Sequence, residues 1–234
     1  MDRTRSDELQ ELGMDQLAPP RRDGVQLTVL EDAAVRRLFD EACSINHYAG
    51  ACQRVGRCMR LCVWSDRRWA GGIVLGSTFP AISVRDEAFG LARHARGYRE
   101  RGLLSAWAAE NRDYWDRLQL IVNHARTFVF PSFQGDGVAV AAHAKLLTQG
   151  RRLWEQRYGT RIAGFDNLCT TPDSRLFASN GWAYVGRTKG YSRDPSRSLS
   201  RRLSEDAGGR DNAALTRARG ATRWHVWVRV FEPL

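Results

Sequence analysis

Between residues 126 and 147 the chain reads R-T-F-V-F-P-S-F-Q-G-D-G-V-A-V-A-A-H-A-K-L-L: a β-branched and aromatic run, a glycine turn, then small and aliphatic residues at helical spacing. This order predicts a strand over about 127–133, a turn at 134–137 and a helix whose buried face carries Val138, Ala141, Ala142, Leu146, Leu147 and Leu153. Gly159 supplies its stop. Unpaired N–H groups of a first helical turn, joined to amides of a glycine turn, make a cradle for a diphosphate. A plain strand–turn–helix joint would need no ligand. No G-x-x-x-x-G-K-[ST] run is present and no G-x-G-x-x-G occupies the turn, so the two better-known nucleotide cradles are excluded.

Around this joint the chain alternates strand and helix signals. A strand fits 25–30, a helix 32–43 with Asp32 as its cap, and two antiparallel strands fit 59–64 and 69–79 around the polar turn Ser65-Asp66-Arg67-Arg68. Gly71-Gly72 loosens the second of these and marks a bulge or a close ligand approach. Later come a strand over 161–168, a helix–turn–strand over 176–186 and an alternating final strand from Trp224 to Val230. The expected class is α/β: a central mixed, mostly antiparallel twisted sheet flanked by helices, in one domain over 25–234 after a flexible extension at 1–24.

Thirty-six Lys and Arg against 26 Asp and Glu give a net charge of +10, and Lys145 and Lys189 are the sole lysines. Two stretches concentrate this charge. One is a helical or loop insertion near 85–118, where arginines alternate with aromatic residues; the other is a serine- and glycine-rich basic loop near 187–223, with ten basic against four acidic residues. The first suits phosphates and unstacked bases and equally suits a solvated amphipathic helix; the second could close over a backbone phosphate. The nominated nucleic-acid contacts are Arg93, Arg96, Arg99, Arg101, Arg187, Lys189 and Arg193. Five cysteines without a C-x-x-C pair read as reduced thiols of a cytoplasmic protein, although Cys58 and Cys62 would share a strand face. The apolar runs are too short to cross a bilayer.

The motif Gln134-Gly135-Asp136-Gly137-Val138-Ala139, of the form Q-x-x-G-x-A, resembles the acyl-coenzyme A loop of the GNAT acyltransferase superfamily. The resemblance implies a GNAT-like fold, an acyl-coenzyme A or related donor, and cofactor contacts from Phe130, Ser132, Phe133, Gln134, Gly135, Asp136, Gly137, Val138 and Ala139. Phe177-Ala178-Ser179-Asn180-Gly181-Trp182-Ala183-Tyr184-Val185-Gly186 looks like the superfamily's closing helix–turn–strand, with Phe177 where a tyrosine that often protonates the departing thiolate is common. A narrower likeness, over roughly 35–234, is to the DruA-like proteins (domain of unknown function 4338) and the Mom-type phage DNA-modifying proteins. It rests on Asn46-His47-Tyr48-Ala49-Gly50, Arg85–Gly90, residues 121–131, Thr188-Lys189-Gly190 and Val230–Leu234. It implies transfer to the adenine N6 amine of double-stranded DNA, protecting phage DNA from restriction, with iron as a possible cofactor. The alternatives are an acyl-coenzyme A N-acyltransferase for a small amine or aminoacyl-type substrate, and a non-catalytic DNA-binding defence subunit.

An amine attacking a carbonyl must lose a proton, so the site wants a base and a donor for developing negative charge. His47 is the nominated base, with Tyr48 as hydrogen-bond donor or stacking ring; Asp86, His124 and Asp166 are the other nominated catalytic residues. If the strand before the turn starts early, Asn123 and His124 point to opposite faces and one of them reaches the chemistry. His47, His124, Asp86 and Asp166 are also the ligand types of a nonhaem iron site, without local ligand spacing.

Overall fold

A computed structural model describes residues 8, 24–50, 56–80, 82–91, 111–170, 174–188 and 223–234. The rest of the extension, most of the basic insertion with Arg93, Arg96, Arg99 and Arg101, and the basic loop with Lys189 and Arg193 lie outside the described residues. Seven strands form one mixed sheet: β1 (Val25–Val29), β2 (Cys58–Ser65), β3 (Arg68–Ser77), β4 (Ile121–Val129), β5 (Gly164–Cys169), β6 (Ala183–Arg187) and β7 (His225–Val230). Their order is β1-β2-β3-β4-β5-β7-β6, and every neighbouring pair is antiparallel except β4 and β5. The helices are α1 (Ala33–Asn46), α2 (Ser83–Ala88), α3 (Arg112–Leu118), α4 (Val138–Lys145), α5 (Arg151–Tyr158) and α6 (Arg175–Ala178).

Local chemistry accounts for the element ends. The Asp32 carboxylate accepts from the Ala34 and Val35 N–H groups, the capping bonds that start α1. Asp66 and Arg67 both hold positive φ, the two-residue hairpin geometry that joins β2 to β3 without splaying them. Leu146–Gly150 forms a π turn between α4 and α5, so the expected long helix is continuous but locally underwound, and Gly159 ends it at φ 62°.

Two expectations are corrected. The strand before the glycine turn is Ile121–Val129: it starts six residues earlier than expected, and it ends before 133 because Pro131–Phe133 closes into a 3-10 turn that a strand cannot continue through. Leu120 donates nothing to β5 but accepts from Ala163, and β5 itself begins at Gly164, not at 161. The bulge expected at Gly71-Gly72 is present, since Val63 opposes Gly71 while Trp64 opposes Trp69 and leaves Ala70 as the extra residue; the close approach there is by the protein's own atoms, as a Cβ on Gly72 would strike the Phe39 ring of α1, and one on Gly71 the Phe128 carbonyl.

A large cluster joins α1 and β1–β4 to α4, α5 and α6 through Phe39, Trp64, Trp69, Phe128, Phe130, Val138, Ala142, Trp154 and Phe177. A second cluster under α2 and α3 holds Phe89, Tyr114, Leu118, Val226 and Val228. β7 therefore buries both its faces, Trp227 toward the first cluster and Val226 and Val228 toward the second.

Candidate acyl-donor and acceptor site

β4 and β5 pair through only three residues each, Ile121–Asn123 against Gly164–Asp166, although β4 runs on to Val129 and β5 to Cys169. Beyond Asn123 the two parallel strands part. At the same point β4 bulges: Leu75 opposes His124 while Val74 opposes Arg126, leaving Ala125 as the extra residue. Residues three apart on a regular strand face opposite ways. The bulge instead puts His124 and Thr127 on one side, where His124 Nε2 and the Thr127 hydroxyl lie 2.7 Å apart.

On that side the Asn167 amide nitrogen donates to the His124 carbonyl (2.7 Å) and to His124 Nδ1 (3.0 Å), bridging the parted strands. With its Nδ1 accepting, neutral His124 carries its proton on Nε2 and donates to Thr127. The Thr127 hydroxyl then donates to His143 Nε2 of α4 at 3.1 Å, which leaves the His143 proton on Nδ1. Burial pushes His143 down to about 3, so the ring is neutral at pH 7. Its Nδ1 has no partner among the described residues, and neither do Asn167 Oδ1, Trp182 Nε1 and Trp227 Nε1. All four belong to side chains grouped around Phe177 and His124: the Phe177 ring lies 5.3 Å from His143, 5.7 Å from His124, 4.9 Å from Trp182 and 5.8 Å from Trp227. Buried donors without acceptors are costly, and they are where a bound oxygen has most to gain.

The other side of the same strands is closed. Arg85 of α2, fully buried, bonds Asp86 (2.7 Å), Asp166 of β5 (2.9 Å) and the Phe79 carbonyl (2.8 Å). Thr78 bonds Asp166, Asn123 donates to Asp166 Oδ1 at 2.6 Å, and Tyr114 donates to Asp86 at 2.9 Å. Burial opposes the guanidinium charge, yet Asp166 and Asp86 hold it above its ordinary value. Both nominated aspartates are thus 0% exposed members of one ion-pair network. Asn123 and His124 do face opposite ways, and it is His124 that reaches the parted side.

The glycine turn lies at the far end of β4. Gly135 (φ 98°) and Gly137 (φ 74°) take left-handed conformations, and a Cβ on either would meet nothing within 4 Å. Ala141 N–H makes the first backward bond of α4, to Gly137, so the N–H groups of Val138, Ala139 and Val140 open from the helix end. Gln134 folds back onto the Val129 carbonyl (3.2 Å), and Gln134, Gly135, Asp136 and Gly137 are exposed. Phe130 and Phe133 are core residues beneath the turn, with Arg68 over the Phe133 ring at 4.9 Å, whereas Ser132 is exposed. Exposed amides, open space above both glycines and a helix N-terminus fit a diphosphate; the exposed Asp136 carboxylate can turn to solvent.

His47 follows α1. Its Nδ1 accepts from Ala49 N–H (3.1 Å), its ring stacks on Tyr48 at 4.4 Å, and burial followed by the Arg126 guanidinium lowers it to about 4. Neutral His47 therefore holds its proton on Nε2 and offers a hydrogen bond there. Tyr48 is 69% exposed. Arg187 ends β6 on the surface. Sequence reasoning missed Thr127, His143, Asn167, Trp182, Trp227 and Arg126; the odd spacing of His124 and Thr127 becomes a shared face only through the bulge.

Among the described residues no group of three or more His, Cys, Asp or Glu side chains could hold a metal. The iron reading of His47, His124, Asp86 and Asp166 is corrected on that ground, since Arg85 takes both aspartates and Thr127 and Asn167 take His124. Burial raises the Cys62 thiol to about 12. No helix among the described residues is long and apolar enough to cross a membrane.

No family model and no curated protein matches the chain. Among solved structures, the ribosomal-protein-S18-alanine N-acetyltransferase from Escherichia coli is 9% identical, with 90% of this chain and 96% of that one covered at a TM-score of 0.44. A GNAT-family acetyltransferase from Bacillus anthracis gives 9%, 90%, 96% and 0.43. The aminoglycoside acetyltransferase AAC(6')-Ib, solved in complex with coenzyme A, gives 9%, 89%, 95% and 0.45.

Proposed function

We propose that this chain is a GNAT-like transferase that moves an acyl-type group from a coenzyme A donor to an amine. The observation that carries this reading is the parting of β4 and β5 beside a β4 bulge, with an open glycine turn and helix N-terminus at the far end of β4. The amides of residues 135–140 would hold the diphosphate, and the donor would supply an activated thioester. The chain's own part is to bind and to shield: Val138 and Phe133 anchor the turn, Asn167 fixes the gap between the strands, and the His143 Nδ1–H and two indole N–H groups offer neutral hydrogen bonds to an acceptor oxygen. Phe177, where the resemblance expects a tyrosine, has no proton to give, so a departing thiolate is left to these donors and to solvent. Calorimetry with coenzyme A, followed by thiol release from acetyl-coenzyme A with a panel of amines, tests the reading. Absence of both binding and thiol release would remove it.

The finer reading of the acceptor is the adenine N6 amine of DNA. It draws support from the net charge of +10 and from the exposed Tyr48 ring, which can stack on a base, and for the rest from the sequence likeness to Mom-type and DruA-like proteins. A modifying enzyme must capture an extruded base, which charge and an aromatic platform serve. Mass spectrometry of nucleosides from DNA of cells expressing the chain, or its His47→Ala variant, tests it. A new adenine adduct that falls in the variant supports DNA as acceptor; an unmodified adenine pool beside turnover of small amines assigns the small-amine alternative.

A further inference from the structure

Arg126 is the residue after the β4 bulge, half-buried and held by two backbone carbonyls: Nη1 donates to Ala125 at 2.8 Å and Nε to Gly50 at 3.2 Å. Gly50 in turn donates its N–H to the His47 carbonyl at 2.8 Å, so the guanidinium is stitched to the short turn that carries the imidazole. Most arginines that the structure fixes this firmly face a carboxylate: Arg60 has Asp40, Arg85 has Asp86 and Asp166, Arg151 has Glu155. Among the described residues no acidic side chain forms an ion pair with Arg126. Carbonyl oxygens orient a guanidinium without neutralising it, and two of its five N–H groups account for both bonds. The remaining edge is a preformed fork for an oxyanion. Beside it the neutral His47 ring offers Nε2–H, since Nδ1 is taken by Ala49, and the exposed Tyr48 ring covers the imidazole face.

We propose that Arg126 and His47 form a binding site for an anionic oxygen group, a phosphate or a carboxylate, carried by the acceptor close to its amine. The proposal rests on the transferase reading for the word acceptor only; the site itself is defined by Arg126, His47 and Gly50. Both polar groups donate, so they reject a cationic amine and recruit a substrate whose negative charge lies next to the reacting nitrogen. Charge linkage supplies an independent signature. Burial and Arg126 together hold His47 down to about 4, and an anion on Arg126 cancels the second of these influences.

The test is nuclear magnetic resonance of the full chain with labelled histidine rings, titrated with inorganic phosphate and, in separate arms, with a short oligodeoxynucleotide and with an amino-acid carboxylate. The expected result is an Nε2-protonated His47 in the free protein, a saturable shift of that ring, and a rise in its pKa on binding. Arg126→Gln weakens the titration at least tenfold, and Arg126→Lys retains part of it, separating loss of charge from loss of fold. The arm that saturates at the lowest concentration identifies the anion's source. Failure of all three arms to move His47, or an unchanged titration in Arg126→Gln, overturns the proposal. Because no coenzyme A is present, a positive titration stands even where coenzyme A binding fails.

Discussion

Strands β4 and β5 carry buried polar groups on both sides, and the two sides are satisfied to different degrees. Under α2, Arg85, Asp86, Asp166, Thr78, Asn123 and Tyr114 bond one another through charged, close contacts. Under α4 and α6, His124, Thr127, Asn167 and His143 are joined, but among the described residues His143 Nδ1, Asn167 Oδ1 and the two neighbouring indole nitrogens have no partner. The first arrangement is complete without a ligand and fixes where β5 lies relative to α2. The second is complete only with an added group, and it lies where the strands part. Residue type alone does not separate a structural carboxylate from a working one; the state of its partners does.

The largest effect expected from this difference is on the closed side. Arg85→Met leaves Asp86 and Asp166 buried without their cation, and chemical denaturation should show a loss of about 3–5 kcal/mol or failure to fold. On the open side, His143 links stability to pH. Its folded value of about 3 lies below the ordinary 6.5, so above pH 6.5 both folded and unfolded chains hold it neutral and it contributes nothing. As pH falls below 6.5 the unfolded chain takes up a proton that the folded chain refuses, and stability declines by up to about 1.4 kcal/mol per pH unit toward pH 3. A His143→Phe variant should show a shallower decline in the same denaturation series; an identical slope would contradict the assignment.

A matched pair of substitutions makes the comparison sharper. Phe89→Tyr adds a hydroxyl to the tightly packed closed cluster, where the Phe89 ring edge lies against Gly164, and should cost about 1–3 kcal/mol. Phe177→Tyr puts the same hydroxyl among unpaired donors and should cost less than about 1 kcal/mol in melting experiments. Equal costs would show that the two sides do not differ in this way. The turn falls between these two: Gly137→Ala meets no neighbour, so only its φ of 74° opposes it, at about 1–2 kcal/mol.

Much of the frame was legible in the sequence because it depends on short-range chemistry. Asp32 as a cap, the Asp66-Arg67 hairpin, the Gly159 stop and the helix–turn–strand through Asn180-Gly181 are each set by residues within a few positions of one another. The early start of β4 was weighed but not fixed, since the placing of Asn123 and His124 in the strand depends on their partners on β3 and β5. The glycine turn was found from its spacing. The box around Phe177 was not, because His143, Asn167, Trp182 and Trp227 come from four elements that only the sheet order brings together. Asp86 and Asp166 were nominated for their chemistry, and their common partner Arg85 is visible only in three dimensions.

We propose that the backbone amides of residues 135–140 hold a diphosphate. Titration calorimetry of the full chain with coenzyme A, with pantetheine lacking the diphosphate, and with a Gly137→Val variant tests it most directly. Saturable binding of coenzyme A is expected, with no measurable binding of pantetheine at the same concentration and at least a tenfold loss in the variant, whose melting transition falls but stays cooperative. Equal affinity for both ligands, or unchanged coenzyme A binding by the variant, would contradict it.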